Sequence, residues 1–215
     1  VTTSPKSIDE SRVRARAIRR VAIALMAVVF AALIFWCWKR VLPARGGIPF
    51  FRESVIDVPQ YFQADPKWAA DSLGATTGTL GGEGCAVASA AMVLSFYGMD
   101  IDPKRLNRFL TDHGGYEGRG WIRWESAAEF SPGLVEKAYE DLPSHALIDW
   151  NLLRGNPVIV RIRRPDGITH FVVIVGKRGF DYLIRDPSSA GAGKVYPLSE
   201  LGVPVEALRY YRRLP

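Results

Sequence analysis

The 215-residue sequence predicts an α+β fold in which a helical part comes first and an antiparallel sheet second. Three observations carry this. The stretch from Ala86 to Tyr97, AVASAAMVLSFY, has the alanine content and length of a helix, and its small residues suit a central, buried one. Further helical signals follow it. From Pro157 the pattern changes to short runs rich in β-branched and aromatic residues, separated by Gly, Pro and Asp.

The amino terminus stands apart. Lys6, Arg12, Arg14, Arg16, Arg19 and Arg20 face only Asp9 and Glu10, so much of the net charge of +6 is local to residues 1–20, read as a basic cytoplasmic tail. No zinc-finger spacing or basic stripe interleaved with aromatics points to nucleic acid. The uncharged run Val21–Trp38 reaches the length of a membrane-spanning helix and predicts a single-pass anchor at residues 21–38. Trp36 and Trp38 suit an interfacial belt, with Lys39 and Arg40 beyond them. The run is longer than a cleaved signal's apolar region and no A-x-A site follows. The basic balance across the span favours the remainder lying outside the cytoplasm. Residues 39–53, including VLPARGGIPFF, read as a linker, and residues 54–215 as one domain.

Within that domain Gly98 suits a helix carboxy-terminal cap. DPKRLNRFLTDHG offers Asp102 as N-cap, Pro103 in the first turn and Gly114 as terminator. WESAAEF reads as a short helix, and another is expected from Asp149 to Arg154. PVIVRIR, ITHFVVIVG, FDYLIRD and EALRYYR read as strands.

Cys85 is placed where a Gly81–Gly84 turn becomes the central helix. The other cysteine, Cys37, lies in the predicted span, so the domain has no internal disulfide. With two cysteines and three histidines, and neither C-x-x-C nor H-x-x-x-H, a metal site lacks ligands. That leaves Cys85 as a packed thiol or a nucleophile. A three-residue loop at Lys177–Gly179 would join the second and third strands and set His170 opposite Asp186 on one face. A two-residue loop would put them on opposite faces. In the first register a histidine can take a thiol proton while the aspartate fixes the imidazole. Taken singly, Cys85 is also readable as a small core residue, His170 as a core histidine, and Asp186 as a turn residue before Pro187.

VPQYFQADPKWA, GEGCAVASAAMVLSFYG, ITHFVVIVG and YLIRDP, in that order, resemble the motifs of cysteine peptidase family thirty-nine, which includes the double-glycine leader peptidases of bacteriocin precursors. The similarity spans about residues 55 to 210 and is greatest to standalone, often membrane-anchored bacterial relatives. It implies a papain-like fold and cofactor-free peptide hydrolysis, with Cys85 as nucleophile, His170 as general base and acid, and Asp186 as orienting carboxylate. Combined with the predicted span, it implies a bacterial inner-membrane protein acting on an extracytoplasmic peptide or protein. The transporter-linked leader peptidases carry a glutamine a few residues before the cysteine; none occurs here between Ala64 and Gly84. Gln63 of the upstream YFQ is the candidate oxyanion donor, with Gln60 behind it and the Cys85 backbone N–H as a second donor. GCAVAS also departs from the GCGPTS common among the relatives.

Two other functional classes fit the same residues: a catalytically silent peptide-binding adaptor, and a thiol amidase or transferase acting on cell-wall peptides. His113 and His145 read as solvated or capping residues. Gly114–Trp124, GGYEGRGWIRW, reads either as a wall of a peptide cleft or as a loop packed by its own side chains. Gly46-Gly47 reads as an ordinary linker pair.

Overall fold

The structure, a computed structural model, describes residues 5–38, 41–189 and 193–215, without the side chains of residues 5–15, 17 and 34–38. It divides into two compact units, residues 1–40 and 41–215.

The first unit is one helix, α1 (Pro5–Trp38). Among the described residues no helix is long and apolar enough to cross a membrane. The expected span, Val21–Trp38, runs into positions whose side chains lie outside the described set, Trp36, Cys37 and Trp38 among them.

In the second unit the chain order is β1 (Arg45–Val55), α2 (Leu80–Glu83), α3 (Cys85–Phe96), α4 (Pro103–Asp112), β2 (Tyr116–Glu117), β3 (Trp121–Ile122), α5 (Trp124–Ala128) and β4 (Val135–Asp141). Then come α6 (His145–Leu153), β5 (Val158–Arg163), β6 (Thr169–Arg185), β7 (Tyr196–Pro197), a 3-10 turn (Leu198–Leu201) and β8 (Val205–Arg213). The main sheet is antiparallel in the order β1-β6-β5-β8-β4, with β7 added on β6.

Both sheet faces are covered, which explains why PVIVRIR is nearly continuous in apolar residues rather than cleanly alternating. Ile159, Val173, Val175 and Tyr211 face α3, α4 and α5. Val158, Val160, Ile162, Val172, Ile174 and Leu208 form the opposite core with Ile148 and Leu152 of α6. Helix α3 is buried from Val87 through Leu94. It is apolar all round, as a helix enclosed on every side must be.

Asp102 caps α4 by accepting from the Arg105 N–H at 2.8 Å, as the sequence predicts. The segregated order holds only in part. The expected linker contains β1, which pairs with β6 from Arg45 to Val55. β4 also precedes α6 and lies at the sheet edge; its VEKAYED sequence is mostly half-buried or exposed, so it lacks an apolar run. Helix α6 begins at His145, earlier than expected, because the Ser144 hydroxyl caps it.

The reversal expected around Lys177–Gly179 falls within one long strand. β6 is extended from Thr169 through Arg185, with Gly179 at φ 57° in the left-handed region. Gly176, Lys177, Gly179 and Asp181 all pair with β1, so the connection lies against a neighbouring strand instead of standing as a free turn. A straight strand rising about 3.3 Å per residue would put His170 and Asp186 ~50 Å apart. Their side chains are 2.8 Å apart, so β6 folds back on itself.

Candidate active site

The thiol is set by a compact turn. Thr79 caps α2 by accepting from the Gly82 N–H, and Gly84 then opens α3. A Cβ at Gly84 would collide with the Leu80 carbonyl oxygen, and one at Gly81 would press on the Ala69 backbone. The turn therefore requires glycine at Gly84 for close approach rather than for an unusual φ. Cys85 follows at once, buried, with a free thiol near enough to His170 to bear on its charge.

His170 stands at the start of β6 and pairs with Ile162 of β5. Its Nε2 lies 2.8 Å from Asp186 Oδ1, which leaves Nδ1 as the nitrogen available to the thiol. Asp186 is held on every side. Oδ1 also accepts from the Ser188 backbone N–H at 2.7 Å, and Oδ2 accepts from the Tyr196 hydroxyl at 2.7 Å. Its main-chain carbonyl accepts from Gln60 Nε2 at 2.8 Å.

These contacts set the charges. Burial opposes ionisation of Asp186, but the bond and charge of His170, then Tyr196 and Ser188, outweigh it and hold the carboxyl below its ordinary range. Burial also disfavours the His170 cation. Its bond to Asp186 and the neighbouring Cys85 prevail and raise the imidazole from 6.5 to about 9. The pair is thus an imidazolium–carboxylate at neutral pH.

Gln63 lies between the two halves of the site. Its backbone N–H donates to Pro187 O at 2.9 Å, beside Asp186, and its Nε2 donates to Gly81 O at 2.9 Å, beside the cysteine turn. Gln60 is directed to the Asp186 backbone rather than standing behind Gln63 as a second donor. The segment PQYFQ therefore ties the Asp186 end of β6 to the loop that presents Cys85.

The structure brings Cys85, His170 and Asp186 together, with His170 bonded to Asp186 and neighbouring Cys85. His113 remains a helix-end residue, its Nδ1 2.8 Å from Phe109 O. His145 does not stay solvated: its Nδ1 is 2.8 Å from the Tyr182 hydroxyl, its ring stacks on Tyr182, and burial lowers its pKa. Gly46 and Gly47 are no slack linker either, since Gly46 O accepts from the buried Lys177 Nζ at 2.7 Å. Gly114–Trp124 contributes Ile122, Arg123 and Trp124 to the wall of a cavity of about 430 Å³. Trp124 packs against Phe171, the residue after His170, with ring centroids 5.5 Å apart. Tyr196 escaped sequence reasoning because KVYPLSEL carries no chemical motif; only β7 pairing beside Ile184 places its hydroxyl on Asp186. Among the described residues no group of three or more His, Cys, Asp or Glu could hold a metal ion.

A buried thiol at a helix start thus lies beside a histidine that is bonded to a carboxylate, on an α+β scaffold. The family model described as "Peptidase_C39 like family" matches residues 55–210, and the chain belongs to that family. Among solved structures it is similar to a Bacillus anthracis protein assigned as a C39-like peptidase. The identity is 18%, with 76% of this chain and 100% of the other covered and a TM-score of 0.49. It is also similar to the peptidase domain of Streptococcus ComA, a bifunctional ABC transporter involved in a quorum-sensing pathway. There the identity is 22%, with 60% and 90% covered and a TM-score of 0.45. No curated protein matches the chain.

Proposed function

We propose that this protein is a cysteine peptidase that hydrolyses peptide bonds through Cys85, His170 and Asp186. The single observation that carries the reading is the 2.8 Å bond between His170 and Asp186 with the Cys85 thiol beside the imidazole. In this reading the proton shared by Cys85 and His170 already rests on the imidazole, and the thiolate paired with that imidazolium attacks the scissile carbonyl carbon. The C–N bond then breaks as the His170 imidazolium gives its proton to the departing amine. His170 next takes a proton from water, whose oxygen attacks the thioester; the acid product leaves and Cys85 is regenerated. Asp186 holds the ring and stabilises its cation. Gln63 Nε2 donates to Gly81 O at 2.9 Å and, at the longer 3.4 Å, to Gly82 O; in this reading it exchanges the longer bond for one to the developing oxyanion, beside the Cys85 N–H.

The apolar run Val21–Trp38 anchors the chain to a bacterial inner membrane, with the domain of residues 41–215 outside the cytoplasm and an extracytoplasmic peptide or protein as substrate. The uncharged sequence and the basic residues before it support this part.

A peptide library digested by the intact protein, with Cys85→Ala as control, tests the activity. Discrete cleavage products that disappear in Cys85→Ala are expected. Iodoacetamide should also label Cys85 far faster in the native than in the denatured protein, and His170→Ala should abolish the difference. No cleavage together with equal labelling rates would overturn the reading.

A further inference from the structure

The bond from Tyr196 to Asp186 lies one step behind the chemistry. We infer that Tyr196 is a positioning residue that tunes His170 through Asp186: by sharing the carboxylate's charge it limits how strongly the imidazolium is held. The inference rests on the proposed thiol-peptidase reading and adds a residue to it.

The two carboxylate oxygens have separate partners. Oδ1 meets His170 Nε2 and the Ser188 N–H, and Oδ2 meets the Tyr196 hydroxyl. Losing the Tyr196 bond therefore removes charge withdrawal without releasing Oδ1, whose orientation two donors already fix. The hydroxyl is a dependable donor, since burial, then Asp186 and then Glu200, push its pKa far above the ordinary value. The titratable groups that bear on this line are Cys85 on α3, facing His170, and Glu200 of the 3-10 turn, facing Tyr196.

The chemical purpose follows from the two tasks of His170. A strong carboxylate stabilises the thiolate–imidazolium pair, which favours attack. The same stabilisation makes imidazolium a poorer acid when the amine must be protonated. A neutral phenol on the far oxygen moderates the carboxylate and leaves His170 acidic enough for the second task. β7 exists in the site for this contact: it is two residues long, and its pairing with β6 at Ile184 delivers Tyr196.

The experiment compares the full chain with Tyr196→Phe, which keeps the ring. The pKa of His170 is read from its imidazole NMR titration; the chain has three histidines, so His113→Gln and His145→Gln complete the assignment. Tyr196→Phe should raise the His170 pKa by about half a unit or more, leave iodoacetamide labelling of Cys85 at pH 7 equal or faster, and slow peptide turnover severalfold. Tyr97→Phe, which removes a buried hydroxyl bond to Tyr211 O, serves as the structural control and should leave His170 unmoved. In an Asp186→Asn background Tyr196→Phe should have no further effect on the His170 titration. An unchanged or lowered His170 pKa in Tyr196→Phe overturns the inference, as does a full effect in the Asp186→Asn background. Failure of the underlying peptidase reading looks different: Cys85 would then label at the denatured rate in the parent protein.

Discussion

His170 Nε2 and Asp186 Oδ1 lie 2.8 Å apart, although sixteen residues separate them and one strand contains nearly all of the intervening chain. Their approach depends on β6 folding back at the left-handed Gly179, with β1 paired along the reversal. The pair is nearly free of solvent, so each partner lowers the cost of burying the other's charge. The geometry of the candidate site and fold stability are thus linked at one contact.

That link gives a pH dependence of stability. The folded-state pKa of His170, about 9, lies above its ordinary 6.5. Its contribution is fully present below about 6.5 and is lost as pH rises through about 9. Urea unfolding should therefore show stability declining by about 2–3 kcal/mol across this window, at roughly 1.4 kcal/mol per unit. His170→Gln should flatten that decline; an equal decline in the variant would assign it to another group.

The glycine turn before Cys85 distinguishes neighbouring positions. A Cβ at Gly84 would collide with the Leu80 carbonyl, whereas one at Gly82 would meet only Thr79 Oγ1, at an ordinary 3.5 Å. Gly84→Ala should displace the thiol and lower native iodoacetamide labelling of Cys85 by at least about tenfold. Gly82→Ala should label within about twofold of the parent, as expected when only ordinary contact is added. Similar rates in both variants would mean the turn does not set the sulfur.

A second buried charge pair holds β1 in place. Lys177 Nζ is fully buried, 2.5 Å from Asp149 Oδ1, with the Gly46 carbonyl and the faces of Phe50 and Tyr182 around it. Asp149 Oδ2 accepts from the Ile48 N–H at 2.8 Å, so the pair reaches β1 from two sides. Asp149→Ala would strand the ammonium and should cost about 3–5 kcal/mol in urea unfolding. Lys177→Met with Asp149→Leu should recover most of that loss, because neither charge is then buried alone. A double variant as unstable as the single one would show that β1 needs the ions themselves.

How much of this was legible in the sequence follows from the kind of signal each residue carries. Local chemistry was readable: Asp102 before Pro103, the small residues of α3, and the apolar strands covered on both faces. Cys85, His170 and Asp186 were readable as a set because three residue types with complementary proton chemistry occur in an order that one fold-back can bring together. β1 was not, since Gly46, Gly47 and Pro49 imitate a linker until Lys177 and Asp149, far along the chain, supply their partners. Tyr196 and the new surroundings of His145 were hidden for the same reason: both depend on long-range pairing, which no local pattern encodes.

Gln63 tests whether the upstream glutamine acts in the reaction or only braces the fold. Its backbone N–H is bonded to Pro187 O, and that bond survives any side-chain change; its Nε2 is bonded to Gly81 O. A donor to the oxyanion stabilises charge that develops only after attack begins, so its loss should leave the resting thiol unaffected. Gln63→Ala should therefore lower kcat for library-identified peptides by about 10²–10³, the usual effect of deleting one oxyanion donor. Iodoacetamide labelling of Cys85, which forms no oxyanion, should remain within about twofold. If labelling and turnover fall together, Gln63 acts by bracing Gly81 and the cysteine turn. If neither falls, the Cys85 N–H and another donor hold the oxyanion without it.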